Sequence, residues 1–77
     1  MVLLKAETAY NQANFTKAIE FYKEAIALKP DKADLHWKLG IAYYSNGDKK
    51  DFKEQVLKLR ELGRNDLAND LEQLASK

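Results

Sequence analysis

The sequence predicts an all-α fold of antiparallel helices joined by short turns. Three observations predict it. Apolar residues recur at offsets of three and four along most of the chain, the period of an amphipathic helix. Stop and start residues punctuate that pattern at Asn11–Asn14, Pro30–Asp31, Asn46–Asp48 and Gly63–Asp66. Only 3 Gly and 1 Pro occur in 77 residues, too few for a turn-rich sheet protein. A chain of this length has room for one small core, so a single domain over residues 1–77 is expected.

The first helix is expected from residue 2 to about 12, with Leu3, Leu4, Ala6, Ala9 and Tyr10 as its apolar positions. The second opens at Asn14, whose side chain can accept from a free backbone N–H. It closes at Pro30, which cannot continue a helix and biases Lys29 away from helical angles. Phe15, Ile19, Tyr22 and Ile26 form its stripe, and Ala18 and Ala25 leave room for a close neighbour. Asp31 is the candidate cap of a third helix from Ala33 to about Ser45. Gly47 can take the left-handed angle that ends it, and Asp48 can cap a fourth helix reaching about Leu62. That helix carries Phe52, Val56 and Leu59, and has Arg60 near its negative dipole end. After Gly63, Asn65 or Asp66 opens a fifth helix with Leu67, Ala68, Leu71, Leu74 and Ala75. Connections of two to four residues imply antiparallel neighbours.

Charge and composition narrow the function classes. The 13 basic and 12 acidic residues interleave to a net +1, which gives nucleic-acid or anionic-membrane binding no support. No run approaches the roughly 20 apolar residues of a membrane span, and Met1-Val2-Leu3-Leu4-Lys5 is too short for a signal peptide. There is no Cys, hence no disulfide frame and no thiolate metal site, which fits a reducing, cytoplasmic compartment. His36 is the single histidine and reads as a packing residue rather than a ligand. No phosphate loop and no nucleophile–base pair stands at a usable spacing, so no enzyme, metal or cofactor is expected. The Asn14-Phe15-Thr16 glycosylation pattern falls at a helix start and is discounted. The Lys49-Lys50-Asp51-Phe52-Lys53 stretch reads as a solvated helix face.

A shift of 34 residues brings Ala6 onto Gly40, Tyr10 onto Tyr44, Ala13 onto Gly47, Asn14 onto Asp48 and Leu28 onto Leu62. Leu39-Gly40 and Tyr43, with Ala18, Tyr22, Ala25 and Pro30, complete a pattern that resembles the tetratricopeptide repeat family. The resemblance covers residues 2–62 as two repeats, about 2–30 and 31–62. It implies an α-solenoid fragment with a right-handed superhelical sense, closed by a capping helix at about 65–76. There are departures: His36 holds the usual Trp position with Trp37 next to it, Phe52 replaces a small Ala, and Arg64 replaces the closing Pro. A Phe at position 52 should force the helices apart or re-aim the fourth helix; the continuous stripe of Phe52, Val56 and Leu59 points to a repacked pair, since overpacking would otherwise cost about 1–3 kcal/mol.

Family resemblance also implies a concave groove lined by the first helix of each repeat. It places Leu3, Glu7, Tyr10, Asn11, Asp34, Trp37, Ile41, Tyr44 and Ser45 there. Trp37, Ile41 and Tyr44 share a face opposite Leu39, Gly40 and Tyr43, giving the third helix two apolar sides. The fifth helix is expected to cover Trp37 and Ile41 in part, through Leu67, Leu71 and Leu74. The expected function is a protein-binding scaffold that takes a partner segment with apolar or aromatic anchors. The alternative is a structural or self-associating module, excised or engineered from a longer array, which associates through Trp37, Ile41 and Tyr44. A carboxylate clamp for acidic chaperone tails is not expected. Leu3 stands where the family's first clamp Lys should be and Glu7 where its Asn should be, and no basic residue occurs from Asn65 to Ser76.

Overall fold

Five helices make up the computed structural model, which describes residues 2–76: α1 (Val2–Asn11), α2 (Phe15–Leu28), α3 (Ala33–Asn46), α4 (Lys49–Glu61) and α5 (Asn65–Ala75). Among the described residues there is no strand. Met1 and Lys77, the ends of the expected domain, lie outside them. α1 packs on α2 and α3 on α4, as two hairpins joined by the packing of α2 against α3. α5 folds back on α4 and also reaches α3.

Small residues let the helices approach. Ala6, Ala18, Ala42 and Ala68 are fully buried, and larger side chains (Ile19, Tyr22, Leu39, Tyr43, Val56) fill the spaces between them. Phe52 is also buried, with its ring 5.7 Å from that of Tyr44 at a tilted angle of 51°. It is accommodated inside the second hairpin, not expelled from it.

One corner is used three times. The residue after each of α1, α3 and α4 has a left-handed backbone or is followed by one that does: Ala13 (φ 61°), Gly47 (φ 85°) and Gly63 (φ 78°). At each corner two amides turn back to the helix end. Asn14 and Ala13 donate to the carbonyls of Ala9 (2.8 Å) and Tyr10 (2.9 Å). Asp48 and Gly47 donate to Tyr43 and Tyr44, and Arg64 and Gly63 to Leu59 and Arg60. Paired bonds of this kind satisfy carbonyls that a helix end leaves open. Glycine adopts the angle without strain, whereas the Cβ of Ala13 crowds its own carbonyl. Ala13→Gly is therefore expected to raise stability by about 1 kcal/mol, after allowing for glycine's greater freedom in the unfolded chain. A lowered denaturant midpoint would contradict this.

The cap of α2 is as expected: Asn14 Oδ1 accepts from the Lys17 amide at 3.4 Å. The other caps are corrected. Lys32, not Asp31, precedes α3, and no side chain caps it. Asp48 does precede α4, but its carboxylate accepts from Asn46 Nδ2 at 2.9 Å instead of from the helix. Arg64 precedes α5, with Asn65 and Asp66 already inside it. Arg64 donates twice to Asp66, both at 3.1 Å, and holds that carboxyl below its usual pKa. At Asp48 and Asp66 a nearby side-chain donor competes with the helix N–H groups for the carboxylate.

α5 is fastened to α4 by Arg60. Its guanidinium donates to Asn65 (3.3 Å), Asn69 (3.1 Å) and Glu72. Beneath them Leu71 lies directly over Gly40: a Cβ added at Gly40 would meet Leu71 Cδ1 at 2.7 Å. Leu67 packs against the core nearby. The expected cover of Trp37 and Ile41 by these leucines is thus divided. Leu71 is fully buried over Gly40, and Leu74 alone lines a hollow with Ile41.

Candidate functional site

Helical spacing sets out the candidate site. Glu7 and Tyr10 are three apart on α1; Trp37, Ile41 and Tyr44 are four and three apart on α3; Asp70 and Gln73 are three apart on α5. Such offsets put side chains on one face of each helix. The packing of α1, α3 and α5 then brings those faces around a hollow of about 290 Å³. Tyr10, Ile41, Tyr44 and Leu74 supply its apolar wall, and Ser45, Asp70 and Gln73 its polar one.

Polar contacts between distant parts of the chain hold this wall. The Tyr10 and Ser45 hydroxyls share a hydrogen bond of 3.1 Å. The Tyr10 ring meets Phe15 edge-on, with centroids 5.3 Å apart, which fixes it from behind. Lys38 Nζ donates to Glu7 at 2.9 Å, and Trp37 Nε1 donates to Asp70 at 2.9 Å. The ion pair is partly exposed and contributes about 0–1 kcal/mol, so its chief effect is to neutralise Glu7. Asp70 accepts from an uncharged indole and forms no ion pair among the described residues. A smaller recess of about 110 Å³ lies beside the hollow, lined by Tyr10, Tyr22, Lys38 and Ile41. Burial, then the charge of Glu7, pushes the Tyr22 hydroxyl above its usual 10.0, so it stays neutral.

Of the residues expected on the groove, Tyr10, Ile41, Tyr44 and Ser45 meet in the hollow, and Glu7 pairs with Lys38, which lines the smaller recess beside it. Trp37 stands at its α5 side and packs in part on the core. Leu3 is half-buried against the core. Asn11 is exposed at the last position of α1. Asp34 lies apart, in a wider hollow with Asp31, Lys32, Ala33, Leu62 and Arg64. Lys38, Asp70 and Gln73 were not anticipated. The spacing of Lys38, Ile41 and Ser45 is the one sequence signal that could have placed the lysine.

His36 is buried and structural in its contacts. Its Nε2 donates to the Pro30 carbonyl at 3.1 Å, and Nδ1 lies 2.9 Å from Gln55 Oε1. Both ring nitrogens are thereby engaged, tying the α2–α3 connection to α4.

No curated protein and no solved structure matches the chain. The family model described as TPR repeat matches residues 7–47, more than half of the sequence. That span runs from Glu7 through the first hairpin to the Gly47 corner, and it contains all of the α1 and α3 residues that line the hollow. Together with the helix hairpins, this match makes the chain a member of the tetratricopeptide repeat family.

Proposed function

We propose that the hollow between α1, α3 and α5 holds a short segment of a protein partner, seated by one apolar or aromatic side chain. Tetratricopeptide repeats are protein–protein interaction modules, which gives the general class. The observation that supports this site is the wall itself. Two tyrosine rings and two aliphatic side chains surround a space of about 290 Å³, with Asp70, Ser45 and Gln73 on its other side. Burial of one anchor against aromatic rings, with polar groups at the edge, is how most interface energy is concentrated. Asp70 favours neutral or basic residues beside that anchor. An acidic tail has little to gain, because the lysine at the recess, Lys38, is already paired with Glu7.

Selection of short peptides on the full chain, followed by calorimetry, tests the reading. Recovered peptides should share one large apolar residue, and Leu74→Arg should abolish their binding while leaving the helical spectrum intact. An acidic chaperone-tail peptide should leave the resonances of Tyr10 and Leu74 unmoved. Micromolar binding of that peptide, lost at high salt and shifting the resonances of Tyr10, would contradict the proposal.

A second reading has one observation in its favour. Leu4 is 64% exposed, beside Ala9 and Phe21, on an open hollow between α1 and α2. A further helix pair stacked there would give self-association a surface besides Trp37, Ile41 and Tyr44. Sedimentation over a range of concentrations separates the two readings.

A further inference from the structure

We propose a second docking site, on the other side of Tyr44, for a partner segment in which a large apolar side chain is flanked by carboxylates. The site is the hollow of about 280 Å³ between the α3–α4 corner and the end of α5. It is lined by Tyr44, Gly47, Lys49, Phe52, Lys53 and Ala75. Nothing in it depends on the α1–α3–α5 hollow except that Tyr44 borders both.

Its floor is aromatic. The Tyr44 and Phe52 rings pack against each other, 5.7 Å apart and inclined at 51°, and together border the hollow. The space exists because two wall positions are small. Gly47 has no side chain and Ala75 has a single methyl. Drug-sized ligands occupy roughly 300–1,000 Å³, so a hollow just below that range takes one large side chain rather than a whole segment.

Charge selects what flanks the anchor. Lys49 and Lys53 are one helical turn apart at the start of α4, and both border the hollow. No acidic residue lines it. Neither lysine forms an ion pair among the described residues, whereas Lys17, Lys38, Arg60 and Arg64 each do. Asp48, the neighbour of Lys49, accepts from Asn46 at 2.9 Å. Two unpaired ammonium groups beside an apolar cleft match a carboxylate on either side of an aromatic or aliphatic anchor. The preference is opposite in sign to that of the other hollow, where Asp70 is the uncompensated charge.

The test uses the full chain and three capped peptides followed by NMR: acetyl-Glu-Phe-Asp-amide, acetyl-Gln-Phe-Asn-amide and acetyl-Glu-Gly-Asp-amide. The first is expected to shift Phe52 and Ala75 resonances, with Tyr10 unmoved. The second, which lacks charge, and the third, which lacks the anchor, should each bind roughly tenfold more weakly or less. Lys49→Gln with Lys53→Gln should reduce the first peptide to the level of the second. Ala75→Leu places a side chain in the hollow at an exposed helix end, so the fold is retained and binding is lost. Equal binding of the first two peptides, survival of binding in Ala75→Leu, or shifts centred on Tyr10 and Leu74 would each overturn the proposal. Loss of peptide binding at the α1–α3–α5 hollow in Leu74→Arg bears only on the other site.

Discussion

Phe52→Ala should lower the stability of the chain by about 3–5 kcal/mol, the usual result of truncating a buried phenylalanine. The expectation is worth testing because the repeat pattern points the other way. Ala18 stands at the position equivalent to Phe52 in the first hairpin, and it is fully buried at a close approach. If the ring at Phe52 were merely wedged into a space meant for a methyl group, alanine would relieve strain and stabilise the protein. The ring is 5% exposed and lies against Tyr44, with α4 built around it. Its removal would open a void that neighbours on two rigid helices cannot close. Denaturant unfolding decides: a midpoint that rises in Phe52→Ala would show the hairpin to be overpacked.

Leu71→Ala is the second large effect, about 2–5 kcal/mol. For 77 residues the total stability is expected at roughly 4–12 kcal/mol, so α5 would be largely released. Leu71 is fully buried, with its methyl groups resting on the bare backbone of Gly40. Hydrogen exchange should show α5 amides losing protection while α1 and α2 keep theirs. Arg60→Ala, which removes the exposed ties to Asn65, Asn69 and Glu72, should cost far less, because surface ion pairs contribute little. Gly40→Ala supplies the complementary check. Alone it pushes a Cβ against Leu71; combined with Leu71→Ala it should recover part of the loss, a coupling that two independent sites would not show. A loss below about 1 kcal/mol for Leu71→Ala would mean that α5 is held chiefly by its polar edge.

Helix number, helix ends and the all-α class were legible in the sequence because each depends on neighbours a few residues away. The stripe of α2, the stop at Pro30 and the corner at Gly47 are of this kind. Asp48 and Asp66 misled for an equally local reason. Each is an acceptor with two candidate donors, and composition alone does not say that Asn46 or Arg64 outcompetes the helix. The candidate site was legible only in part. Tyr10, Ile41, Tyr44 and Ser45 could be placed on faces by spacing. The bond from Trp37 to Asp70 and the pairing of Lys38 with Glu7 join residues more than thirty positions apart, and only the packing of α1 and α5 against α3 brings them together. Leu71 over Gly40 belongs to the same class: the sequence shows a glycine and a leucine, and the contact between them is tertiary.

Helices in this chain pack chiefly against partners one or two elements away in sequence. The consequence is kinetic. Folding closes no long loop, so it is expected to be fast for a chain of this length. Unfolding has a direction as well. α2 and α3 are flanked on both sides, whereas α1 leans mainly on α2 and α5 on α3 and α4, so the stack loosens from its ends inward. Both hollows use the last turns of α5, and their opening to a partner is therefore tied to the part of the stack that frays first.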